Sequence, residues 1–220
     1  MTPSSPTVEP SPVRRRDLQK DQTRLDLALA AFELAREHGL AGVRVAEIAA
    51  AAGVSPRTFN NYFPGKEAAI VWPATQRGAM LAASLAARPP GEPLADALAE
   101  ATASMYLRDE MDGLPPGWLR DFRALVAAEP ALHGEYLKAT STVEAALADA
   151  VARRTGAAED TLEPQVLAAV ATAAERAAVL HWARHARGSA TLEDTVRSAV
   201  AMAVRGMAPS DPPSRHELPA

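Results

Sequence analysis

Apolar residues recur along this chain at helical spacing almost throughout. Between Thr23 and Gly39, Leu27, Ala31, Leu34 and Ala35 share one face of a helix that a glycine ends. Val45, Ile48, Ala49 and Ala52 follow at i, i+3, i+4 and i+7, a second and shorter stripe. Gly53 supplies the left-handed residue that closes a helix, and Val54 is an apolar plug. Ser55 is an N-cap for the next helix, and Pro56 fits its first position, where a missing N–H costs nothing. Phe59, Tyr62 and Phe63 turn inward in whole or part, which leaves Pro56, Arg57, Asn60 and Asn61 outside. A purely structural helical hairpin has the same outline. Polar residues gathered on one side of so short a helix point instead to a helix-turn-helix whose second helix enters the major groove of DNA.

The remaining pattern is helix after helix. Segments are expected at about 66–88, with Pro73 kinking or breaking it, and at about 93–111, followed by a Gly/Pro loop over 113–117. Others run from about 117 to 128, from Pro130 to a stop before Gly156, from about 162 to 187 and from about 192 to 207. Thr191, with Asp194 three residues on, caps the last. The fold class is therefore all-α with about nine helices, a three-helix helix-turn-helix domain leading into a helical bundle. The expected division is a disordered basic arm at 1–20, a DNA-binding domain at 21–67, an effector and dimerisation domain at 68–207, and a disordered tail at 208–220.

Composition agrees with this picture. The 220 residues are 48% hydrophobic, alanine-rich and without cysteine, so no disulfide, thiolate metal site or cysteine nucleophile is available. No apolar stretch reads as a membrane span and the Pro/Ser-rich start is not a signal peptide, so a cytoplasmic protein is expected. The net charge of −4 divides unevenly, +1 over residues 1–67 and −5 beyond, which keeps the acidic balance away from the proposed reading head. Arg14, Arg15, Arg16 and Lys20 would add phosphate attraction.

Taken together, residues 23–69 resemble the N-terminal domain of the TetR family of one-component transcriptional regulators. The landmarks are the helix ending at Gly39, Val45 through Val54, Ser55 to Phe63, and Lys66-Glu67. The resemblance implies that Pro56, Arg57 and Asn60 approach base edges. It implies phosphate contacts at Thr58, Asn61, Tyr62 and Lys66, with Ser55 at the helix start. The chemistry agrees: arginine pairs bidentately with guanine O6/N7 and asparagine with adenine. Two positions depart from the family pattern. Arg44 stands where a capping threonine is common, losing a cap and gaining a candidate phosphate contact. Asn60 stands where an aromatic is common, so operator preference does not transfer.

The resemblance also implies a two-fold dimer through the last two helices. Leu192, Val196, Ala199, Val200, Ala203, Val204 and Met207 form an apolar stripe on one, and Ala173, Ala174, Ala177 and Ala178 make the other small enough for close approach. The alternative is that both stripes serve the chain's own core. Trp118 to Leu125, with Ala152 to Gly156 and Trp182, resemble an actinobacterial subgroup whose C-terminal domain binds acyl-CoA-like or other bulky apolar effectors. Trp72, Met105, Trp118, Phe122, Arg123, Tyr136 and Trp182 are the candidate effector contacts, aromatics with a few polar tips in a helical bundle. Arg120 and Arg123 are candidates for an anionic effector group, with surface salt bridges as the plainer role.

His181 and His185 have the spacing of two metal ligands, but no third ligand follows and no metal or cofactor is expected. No phosphate-binding glycine loop or nucleophile elbow is present, so an enzyme is not expected. The sequence thus predicts a homodimeric repressor that binds operator DNA and is released by a small apolar or acyl-type effector. An activator of the same architecture, or a ligand-binding or adaptor protein with a structural helix-turn-helix, remains the alternative.

Overall fold

A computed structural model describes residues 12–106, 114–115, 117–158, 161–185 and 191–206. Nine α-helices and one short 3-10 turn are found among the described residues, and no strand. They are α1 (Pro12–Gly42), α2 (Val45–Ala51), α3 (Pro56–Tyr62), α4 (Lys66–Ala86), α5 (Leu94–Ala103), α6 (Trp118–Ala128), α7 (Pro130–Thr155), α8 (Glu163–His185) and α9 (Leu192–Arg205). The turn, Ser104–Tyr106, follows α5.

The chain forms two compact units. The first contains α1 to α3, the start of α4, α6 and the start of α7; the second contains the rest of α4 and α7 with α5, α8 and α9. In the first, Leu27, Ala28, Ala31, Phe32 and Ala35 bury the inner face of α1 against Ile48, Phe59, Phe63, Ile70, Trp118 and Phe122. Each large side chain fully removed from water contributes about 1.5–3 kcal/mol. In the second, Leu81, Leu85, Leu98, Leu147 and Val151 are buried with Ala97, Ala101, Ala168, Ala171 and Ala178. Alanines here let helix axes approach closely. Gly78 shows how closely, since a Cβ there would lie 1.9 Å from a methyl of Val143.

Several expectations change. α1 begins at Pro12, not near residue 21, so the stretch assigned to a disordered arm is helical from residue 12 onward. Nothing between Pro12 and Gly39 breaks a helix, and the basic run that suggested disorder is compatible with one. Residues 1–11 and 207–220, which hold the rest of the arm, Met207 and the tail, lie outside the described residues. The break at Gly39 is real (φ 70°, ψ 156°), with one further turn to Gly42. Pro73 sits inside α4 without ending it.

The α9 stripe is used within the chain. Val196 and Val200 are fully buried, and α9 packs on both α5 and α8. Helical spacing tells which face is buried, not what covers it. Thr191 caps α9 as expected, its Oγ1 accepting from Asp194 N at 3.0 Å.

One absence read from the sequence also needs correction, because α8, at 23 residues, is long and apolar enough to cross a membrane by length and composition. Its apolarity is mostly alanine, and Glu175 and Arg176 lie mid-helix, where a bilayer would penalise both.

Candidate DNA-reading surface

The turn between α2 and α3 is built from hydrogen bonds that its residues dictate. Gly53 adopts φ 69°, which a side chain would strain. Its N–H reaches Ala50 O at 3.1 Å, and the Val54 N–H reaches Ala49 O at 2.9 Å. That pair is a Schellman closure, and it satisfies two carbonyls at the end of α2. Ser55 then caps α3: its Oγ accepts from Thr58 N at 3.1 Å and shares a 2.9 Å hydrogen bond with the Thr58 hydroxyl. Pro56 occupies the first helical position, and Phe59 and Phe63 anchor the inner side with ring centres 5.8 Å apart.

That anchoring fixes which residues point out. Pro56, Arg57, Asn60 and Asn61 are exposed, as are Ser55 and Arg44. Arg57 has no hydrogen bond or ion pair among the described residues, so its five guanidinium donors remain available. Thr58 and Tyr62 are half-buried. The Thr58 hydroxyl is tied to the cap. Arg44 begins α2 without a side-chain cap, while Glu47 accepts the Arg44 N–H at 2.9 Å.

Lys66, expected at a phosphate, also has partners inside the protein. It is half-buried, and Nζ donates to Leu40 O at 2.6 Å and to Val43 O at 2.8 Å, using two of its three donors inside the protein. Two further residues that the sequence reading missed hold this head together. Arg24 Nη2 donates to Tyr62 O at 3.2 Å, and its guanidinium carbon lies 5.5 Å and 5.8 Å from the ring centres of Phe63 and Trp72. Glu129, at the end of α6, accepts the Leu40 N–H at 3.4 Å. The available signal for Arg24 was its register. It shares the inner face of α1 with Ala28, Ala31 and Ala35, where a cation demands a partner.

The seven candidate effector contacts divide between the two units. Trp72, Trp118, Phe122, Arg123 and Tyr136 belong to the first, Met105 and Trp182 to the second. In the first, Trp118 stacks on Phe122 with ring centres 4.7 Å apart and meets Phe32 of α1 at 5.8 Å. Tyr136 contacts Phe122 edge-on at 6.0 Å, and Trp72 contacts Phe63 at 6.2 Å. Arg123 donates to the Tyr136 hydroxyl and lies over its ring, 4.8 Å from the centre. These are packed core contacts against the reading head. The Trp118 indole N–H is buried among them without a hydrogen-bond partner. Arg120 pairs with Asp121 at 3.0 Å.

In the second unit, Met105 and Trp182 are half-buried. The Arg154 side chain gathers three carbonyls of the α4–α5 loop, those of Arg88, Pro89 and Glu92. His181 and His185 stack with ring centres 4.4 Å apart, and both are exposed. Among the described residues no group of three or more metal-ligating side chains forms.

Comparison with known proteins gives concordant results. Residues 28–69 match the family model described as bacterial regulatory proteins of the tetR family, and residues 92–208 match that of the MftR C-terminal domain. The chain is 32% identical over 186 residues to the HTH-type transcriptional regulator TcmR of Streptomyces glaucescens, covering 82% of this chain and 81% of that protein. Among solved structures it resembles a TetR-family regulator from Rhodococcus sp. (TM-score 0.54, 22% identity, 84% of this chain and 97% of that one). A transcriptional regulator from Pseudomonas aeruginosa PAO1 is similar (TM-score 0.55, 23% identity, 85% and 91%). At these identities the structures establish the shared fold.

Proposed function

The chain belongs to the TetR family of bacterial transcriptional regulators, and on that premise we propose that it is a homodimeric, ligand-responsive repressor. The observation that carries the reading is the outer face of α3. Arg57 and Asn60 stand exposed on a short helix whose inner face is locked by Phe59, and Arg57 has no partner within the described residues. Arg57 supplies the guanine contact and Asn60 the adenine contact, with Pro56 against the groove edge. Arg44, Ser55, Thr58, Asn61 and Tyr62 flank them at the phosphates.

A single short helix reads few bases, so specificity comes from two heads on half-sites about 10 base pairs apart. The partner surface is the outer face of α8. Val166, Ala169, Ala173 and Ala177 are exposed there at helical spacing, an apolar strip that water covers poorly and a second copy covers well. α9 contributes Met202, 58% exposed.

The effector is a small apolar or acyl-type molecule that Met105 and Trp182 contact in the second unit. Trp72, Trp118, Phe122, Arg123 and Tyr136 carry its effect through their packing on the reading head. Such a ligand releases DNA only by binding one arrangement of the heads more tightly than the other. The protein is expected to act in the cytoplasm, as a regulator and not an enzyme.

Selection of duplexes from a random pool tests this reading. The wild-type protein is expected to enrich a palindromic sequence, with affinity that falls as salt rises. A pool left unenriched over a range of salt concentrations contradicts it and favours a helix-turn-helix that only holds the fold together.

A further inference from the structure

Two cations beside the reading helix face inward. Lys66, in the first turn of α4, donates to Leu40 O at 2.6 Å and Val43 O at 2.8 Å, the carbonyls that follow the break at Gly39. Arg24, on α1, donates to Tyr62 O at 3.2 Å, on the last helical residue of α3. Carbonyls at a helix end lack intrahelical partners and carry the negative end of its dipole, so a cation there is well matched. The Arg24 guanidinium also lies within 6 Å of the Phe63 and Trp72 ring centres, at 5.5 Å and 5.8 Å. Its Nε is buried.

We propose that Arg24 and Lys66 are positioning residues for DNA recognition, not phosphate ligands. Lys66 clamps the α1–α2 connection to the start of α4, while Glu129 holds the Leu40 N–H of the same connection. Arg24 clamps the end of α3 to α1 and, through Trp72, to α4. Both ends of the α2–α3 hairpin are thereby tied to α4. Charge-assisted hydrogen bonds at 2.6 and 2.8 Å are strong enough to hold such a register. The proposal rests on the DNA-reading function, and its test separates the two.

The full-length wild type, Arg24→Met and Lys66→Met are titrated with the duplex that the wild type selects, over a salt series. Each variant is expected to bind about tenfold or more weakly. The slope of log K against log salt stays that of the wild type. A slope reduced by about one per head with either variant shows a phosphate contact and overturns the proposal, as does unchanged affinity.

A second measurement needs no variant. In nitrogen-detected magnetic resonance of the DNA-free wild type, the Lys66 ammonium is expected to give a slowly exchanging signal that does not move when duplex is added. A signal that emerges only with DNA refutes the clamp, even if the methionine variants do not fold. A wild type that selects no duplex refutes the functional reading, and the ammonium signal still decides the clamp.

Discussion

Replacing Arg57 by alanine tests the base contact that the proposed function assigns to it. Its side chain is exposed and has no partner among the described residues, so the change in folding stability stays within about 0.5 kcal/mol. A bidentate arginine–guanine pair discriminates by about 1–3 kcal/mol. A dimer carries two such contacts, far enough apart to add, for about 2–6 kcal/mol in all. That is a loss of roughly 30-fold to 20,000-fold on the selected duplex. On unrelated duplexes the variant loses only the nonspecific attraction of one charge per head, so the ratio of specific to nonspecific affinity collapses. Competition anisotropy with the selected duplex and a scrambled one, at two salt concentrations, measures both. Equal losses on the two duplexes make Arg57 a phosphate contact, and no loss on either removes it from the interface.

Other consequences follow from particular contacts. Ala173→Glu places a charge in the exposed apolar strip of α8 and is expected to shift the protein to monomer in analytical ultracentrifugation with its helicity unchanged; a persistent dimer moves the interface elsewhere. Gly78→Ala drives a methyl into Val143 at a cost of about 1–3 kcal/mol, offset by roughly 1 kcal/mol of helix propensity, for a net loss of up to about 2 kcal/mol. Thermal melting of the Gly78→Ala, Val143→Ala double variant should recover most of the loss, and failure to recover it means the overlap relaxes elsewhere. The Glu92 carboxyl is held below its ordinary value mainly by the hydrogen bond from Arg88, and that of Asp194 mainly by the Thr191 hydroxyl. Both stabilise the second unit above the ordinary carboxylate range, near pH 4, and the contribution is lost as pH falls through their lowered folded values. Acid titration of Arg88→Met should therefore show a smaller loss of stability below about pH 4 than the wild type; an identical profile contradicts the pairing.

What the sequence disclosed was local, and what it hid depended on distant partners. Gly53, Val54 and Ser55 specify their turn through bonds to residues three to five positions away, and Thr191 does the same for α9. Phe59 could be placed inside because helical spacing alone separates it from Arg57 and Asn60. The carbonyl partners of Lys66 were out of view because they lie 23 and 26 residues earlier in the chain. Arg24 went unnoticed because its acceptor is 38 residues away. The aromatic residues were read as one lining, yet the helices that bear them belong to two units. The α9 stripe marked a buried face correctly, but periodicity carries no record of whether α5, α8 or another copy buries it.

The central claim, that α3 reads bases from the major groove, has a direct chemical test. Dimethyl sulfate methylates guanine N7 in the major groove and adenine N3 in the minor groove. With the wild-type protein bound to its selected duplex, guanine N7 should be protected in two half-sites about 10 base pairs apart. Arg57→Ala at saturating concentration should lose that protection. Unprotected guanines in the wild-type complex, or protection confined to adenine N3, would contradict the account.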